Sequence, residues 1–172
     1  MTSLRLPLRL TLAVALLAGA SGLLVSPQAA APDRAWVTVL STTDLHGNIL
    51  PVDYYADRPD ARGLAKVATL VRQVRRENPG GTLLVDSGDT IQGTPLVYMH
   101  NRRNNTPPDP MMLAMNALGF DAMVVGNHEY NFGLAVQDKA RREARFPWLS
   151  ANTYRVGASE GPYLPYIVKE VN

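Results

Sequence analysis

Three short apolar runs each stop abruptly at a polar loop that contains glycine. They are "WVTVL" at residues 36–40, "TLLVD" at 82–86 and "DAMVV" at 121–125. Runs of this length, rich in β-branched residues, read as buried strands. Between the first two, Leu64, Val67, Ala68, Val71 and Val74 recur at helical spacing. Lys66, Arg72, Arg75 and Arg76 take the other face, and "NPGG" at 78–81 ends the helix. "PLVYMHN" (95–101) and "PMMLAMNAL" (110–118) read as further helices, split by the breaker-rich "NNTPPDP", and another helix is expected near "LAVQDKARREAR" (134–145). "PWLSAN" (147–152) and "YLPYIVKEV" (163–171) read as additional strands, and residues 41–62 as one polar loop. Strand alternating with helix predicts an α/β domain with helices packed on the sheet.

That alternation places the polar residues. Asp44 and His46 follow the first strand, Asp89 the second, and Asn127 and His128 the third. In open α/β sheets, sites form beyond the carboxyl ends of the strands. Three strands therefore deliver ligand-type side chains to one edge. Asp44 and His46 are two apart and would share a side in an extended segment. A carboxylate and an imidazole together suit Mn, Fe, Co or Zn better than Ca. Asp89 has two oxygens and could touch two ions. Asn127 offers a neutral amide oxygen, and His128 could protonate a leaving oxygen. Each has a plainer alternative when taken alone. Asp44 and His46 could form an Asx turn beside a surface histidine, Asp89 could be a turn or cap residue, and His128 a partly buried histidine. Asp86, at a strand end, reads as structural.

The first thirty-one residues read differently from the rest. Arg5 and Arg9 precede the apolar "TLAVALLAGA", and small-residue sites follow at 18–20 and 29–31. This is the layout of a secretory leader, with the mature chain expected to begin between Ser21 and Pro32. Residues 1–31 are thus assigned to leader and linker, and export to a periplasmic or cell-wall-associated location is expected. The run from Leu10 to Gln28 is interrupted by Gly, Ser and Pro, so no stable membrane span is expected after processing. The chain has 17 basic and 15 acidic residues. Losing Arg5 and Arg9 with the leader leaves these balanced, which argues against a nucleic-acid polymer as partner. With no cysteine, neither a lipid-bearing Cys nor a disulfide is available.

Together, "TTDLHGN", "GDTIQGTP" and "GNHEYNFGL" resemble the binuclear metallophosphoesterases, and within them the exported 5′-nucleotidase / 2′,3′-cyclic-nucleotide 2′-phosphodiesterase family. The likeness runs from about Trp36 to the end of the chain. It implies a calcineurin-like α/β/β/α sandwich, a small nucleotide substrate and two divalent metal ions (Mn, Zn, Fe or Co). By motif, Asp44 and His46 would hold the first ion, Asp89 would bridge both, and Asn127 would bind the second. His128 would be the catalytic histidine. The nucleotidase branch places Asp three residues after it, as orienting partner, and here that position is Asn131. An amide can orient an imidazole but adds no formal charge. "GNHEYN" and "VDYY" instead resemble the cyclic-phosphodiesterase/3′-nucleotidase branch. A 5′-nucleotidase, a related sulfur-oxidation hydrolase and a non-catalytic binding module on the same scaffold are the alternatives.

The chain has three histidines, and none follows Ala151. His100 is expected on a surface helix. The resemblance calls for further histidine ligands and a nucleoside-binding domain. Residues 32–172 are accordingly expected to form the amino-terminal part of a metallophosphoesterase domain, inactive alone, with the sandwich incomplete.

Overall fold

The structure is a computed structural model and describes residues 34–171. The expected leader, linker and cleavage sites lie outside the described residues. Strands β1 (Thr38–Thr42), β4 (Thr82–Asp86), β5 (Ala122–Val124) and β6 (Trp148–Leu149) form a parallel sheet in the order β1-β4-β5-β6. Its register pairs Thr42 with Asp86, Asp86 with Met123 and Met123 with Trp148. Parallel neighbours need crossovers, and helices supply them. α1 (Leu64–Glu77) leads from β1 to β4, α2 (Pro95–Arg103) and α3 (Pro110–Leu118) from β4 to β5, and α4 (Leu134–Glu143) from β5 to β6.

The sheet alternates as a pleat requires. Leu84, Met123 and Trp148 are buried on the helical side with Leu64, Val71, Val97, Met111, Met112 and Met115. On the other side Val39 is 60% exposed and Val124 49%. Among the described residues, one helical layer and one sheet of the expected sandwich are therefore present.

α3 shows why the helices start and stop where the sequence predicts. The Asp109 carboxylate accepts from Met111 N and Met112 N at 2.8 and 3.0 Å, and Pro110 occupies the first position, where its missing N–H costs nothing. Gly119 ends it at φ 68°. Arg75 of α1 then reaches the free carbonyls of Leu118 and Gly119 at 2.5 and 2.7 Å.

Three expectations need correction. His100 is not on a surface, since it is only 9% exposed with Nε2 3.9 Å from Asp109 Oδ2. Residues 163–171 form no extended strand. Their contact with the sheet is an isolated Leu149–Leu164 bridge, and Pro165 supplies no N–H to continue the ladder. The segment is held instead by Tyr163, whose hydroxyl meets Tyr130 at 3.0 Å and accepts from Gln137. The polar loop, finally, contains a hairpin of β2 (Val52–Asp53) and β3 (Arg58–Pro59). Its turn is an Asx type, with Asp53 Oδ1 accepting from Tyr55 N and Ala56 N at 2.9 and 3.1 Å.

Candidate metal centre

The site lies at the carboxyl edge of the sheet, where the loops after β1, β4 and β5 meet. Asp44, His46 and Asp89 all have positive φ, at 51°, 47° and 62°. The expected extended Asp-x-His segment is therefore replaced by left-handed turns, and sequence spacing does not set their approach. They approach nonetheless, with His46 Nε2 3.5 Å from Asp44 Oδ1. The His46 ring is fixed by Nδ1, which lies 3.0 Å from the carbonyl of Gln92. A carbonyl can only accept, so Nδ1 carries the proton and Nε2 presents its lone pair to the site.

His128 opens a 3-10 turn spanning His128–Tyr130, which follows β5 after residues 125–127. Its ring sits edge-on to His46 with centroids 5.2 Å apart. One ligand atom each from His46, Asp89 and His128 lies within 4.8 Å of the others. Two imidazoles and carboxylate oxygens this close form a donor set that fits a divalent transition metal. Asp89 Oδ1 also accepts from the backbone N–H of His128 at 2.9 Å, which ties the second loop to the third. Asn131 reaches back with Nδ2 3.0 Å from His128 Nδ1. Donation from that amide leaves the ring proton on Nε2. Asn127 is exposed at the start of the 3-10 turn.

Two carboxylates beside these residues, Asp86 and Glu129, are buried. Asp86 accepts from Thr42 Oγ1 at 2.6 Å, Gly88 N at 2.8 Å and Thr90 Oγ1 at 3.0 Å. Burial pushes its pKa above the ordinary value, opposed by these hydrogen bonds. These bonds tie β1 and the loop after β4 to the end of β4. Glu129, which no sequence motif assigned a role, is 0% exposed, and its two oxygens accept backbone N–H groups from the loop after β4 (Asp89, Thr90) and from Gly126 of its own loop. The available signal was an acid inside a glycine-bearing loop whose amides need partners.

Glycine makes this approach of loops feasible. Gly88 has φ 94°, and a Cβ on it would lie 2.5 Å from Gly126 N. A Cβ on Gly126 would in turn lie 2.6 Å from Asp89 N. Both positions exclude any side chain.

Comparison with known proteins matches residues 37–169, which hold every one of these ligand-type side chains, to the calcineurin-like phosphoesterases. The chain belongs to the calcineurin-like phosphoesterase family. It is 40% identical over 150 residues to the trifunctional nucleotide phosphoesterase protein YfkN of Bacillus subtilis, covering 83% of this chain and 10% of that protein. It is 37% identical over 165 residues to a 2′,3′-cyclic-nucleotide 2′-phosphodiesterase/3′-nucleotidase of Yersinia enterocolitica, covering 94% of this chain and 24% of that protein. The crystal structure of YfkN superposes with a TM-score of 0.69 at 42% identity, over 78% of this chain and 42% of that one. The chain thus spans a quarter or less of the length of these two curated relatives. Among the described residues, no helix is long and apolar enough to cross a membrane.

Proposed function

We propose that this chain carries metal-ligating and catalytic residues of the active site of an exported phosphoesterase that hydrolyses nucleotide phosphoesters, of the 2′,3′-cyclic-nucleotide 2′-phosphodiesterase/3′-nucleotidase type. The observation that carries the reading is the meeting of His46, Asp89 and His128 at one sheet edge, with His128 held by Asn131. Asp44 and His46 would hold the first of two divalent ions (Mn, Zn, Fe or Co). Asp89 would contribute to both ions, and the Asn127 amide oxygen would bind the second. A neutral amide there would avoid excess negative charge beside the Asp89 carboxylate. Bound metals supply an activated water and offset the charge that develops on the phosphoryl group.

His128 does the work that falls to the protein. Its Nδ1 accepts from Asn131, so the Nε2 proton is available to a phosphoryl or leaving oxygen. Asn131 is a positioning residue in this reading. Its amide, in place of the carboxylate of the nucleotidase branch, supports the cyclic-phosphodiesterase assignment. Hydrolysis of 2′,3′-cyclic AMP, 3′-AMP and 5′-AMP by a chain extended to the length of its relatives tests that assignment. A preference for 5′-AMP would overturn it.

One observation favours a second reading of His128. Its ring nitrogen is as close to Asp89 and His46 as a metal ligand would be. Metal content separates the two. If His128 is the proton donor, His128→Ala keeps its ions, whereas Asp89→Ala loses affinity at both positions and Asn127→Ala at one. Loss of ions in His128→Ala would make it a ligand instead.

A further inference from the structure

We propose that Glu129 is the positioning residue of the whole centre, a buried carboxylate that holds the ligand loops in their left-handed turns. The inference rests on the reading of Asp44, His46 and Asp89 as metal ligands. Oε2 accepts from Gly126 N at 2.7 Å and Asp89 N at 2.9 Å, and Oε1 from Thr90 N at 2.6 Å and Ile91 N at 3.4 Å. Glu129 itself comes from the third loop, so one side chain joins the second loop to the third. The same peptides of the second loop bond the first loop through their carbonyls. Gly88 O accepts from Asp44 N at 3.1 Å, Asp89 O from His46 N at 2.9 Å and Thr90 O from Gly47 N at 3.0 Å. The segment 88–91 is thus gripped by Glu129 through its amides and grips residues 44–47 through its carbonyls.

The chemistry suits that task. Successive N–H groups around a left-handed residue converge into a concavity that binds an anion, and here the anion is internal. Charge-assisted hydrogen bonds are about twice as strong as neutral ones, and burial keeps water from competing. Left-handed backbone at a residue other than glycine persists only where its surroundings impose it. Asp89 is such a residue, and Glu129 bonds its amide and the next. An Asp89 free to leave that conformation would carry its carboxylate away from His46 and His128.

Two measurements test this. In the wild-type chain, the amides of Asp89, Thr90 and Gly126 lie outside helices and strands, yet should exchange hydrogen as slowly as those of α3. Exchange at loop-like rates would overturn the proposal even if no variant folded. In Glu129→Gln, the NH2 must face two N–H donors whichever way the amide is turned. Amide exchange at residues 44–47 and 89–90 should then speed up while α3 is unchanged. Mn2+ affinity, titrated directly on the chain, should fall at least about tenfold, the usual cost of losing a supporting hydrogen bond at a metal site. Met112→Ala lowers stability through the core and should leave Mn2+ affinity unchanged. Equal affinity in wild type and Glu129→Gln would refute the positioning role. A wild-type chain with protected amides but no Mn2+ binding would sink the metal assignment alone and leave the clamp standing.

Discussion

At the scale of single residues, the centre is built from conformations that side chains ordinarily avoid. A left-handed turn costs a residue other than glycine on the order of 1–2 kcal/mol, and Asp44, His46 and Asp89 each adopt one. Hydrogen bonds between the loops hold all three there. His128, by contrast, sits in an ordinary 3-10 turn and depends on its side-chain bond to Asn131. Removing the proton donor of a phosphoesterase lowers turnover by about 10²–10⁴-fold. On the proposed reading of His128 as that donor, His128→Ala should show a loss of that size with metal content unchanged. Asn131→Ala should cause a smaller fall in kcat at constant KM, because it frees the ring without removing it. Steady-state kinetics together with metal analysis check both.

Elements carry the strain that these residues cannot. Gly88 lies between β4 and Asp89, and its φ of 94° excludes other residues. Gly88→Ala should cost about 1–3 kcal/mol from backbone strain, with the clash against Gly126 added, measured by chemical denaturation. Far from the centre, Asp109 caps α3 and faces His100. Asp109→Ala should cost about 0.5–2 kcal/mol as a lost cap, and Asp109→Asn less, since one capping oxygen remains. His100 belongs to the same buried group, with Asp109, Lys139 and Glu143 around it. Burial holds its pKa below the ordinary 6.5 despite the attraction of Asp109. The unfolded chain therefore binds the proton first as pH falls, and the contribution present above about 6.5 is lost on acidification. Denaturation midpoints at pH 7.5 and 5.5 should differ less in His100→Asn than in wild type.

At the scale of the whole molecule, the two faces of the sheet have opposite fates. The helical side is closed by methionines, leucines and Trp148, whereas Val39 and Val124 stand in solvent on the other. Val37 and Leu164 are also large exposed apolar side chains, at 48% and 57%. Contiguous exposed apolar surface binds hydrophobic dyes and promotes association. The chain should enhance the fluorescence of such a dye while retaining a cooperative melt. Val39→Lys should reduce the dye signal with little change in melting temperature, because an exposed strand position has little packing to lose. A dye signal that appeared only on melting would contradict this picture of the sheet.

The elements that bury apolar surface are legible in the sequence. The spacing of Leu64, Val67, Ala68 and Val71 could serve only a helix with one apolar face, and "TLLVD" matches β4 residue for residue. Proline and glycine marked the limits of α3 for local steric reasons. The candidate site residues Asp44, His46, Asp89, Asn127 and His128 are likewise visible as residue types after strands. Tertiary structure decided how they meet. Left-handed turns at Asp44, His46 and Asp89 arise from hydrogen bonds between loops 40 or so residues apart, which local propensity does not encode. The burial of His100 and Glu129 follows from the same cause. A polar side chain is drawn inside when distant backbone or side-chain groups meet it there, and only the folded chain brings those groups together.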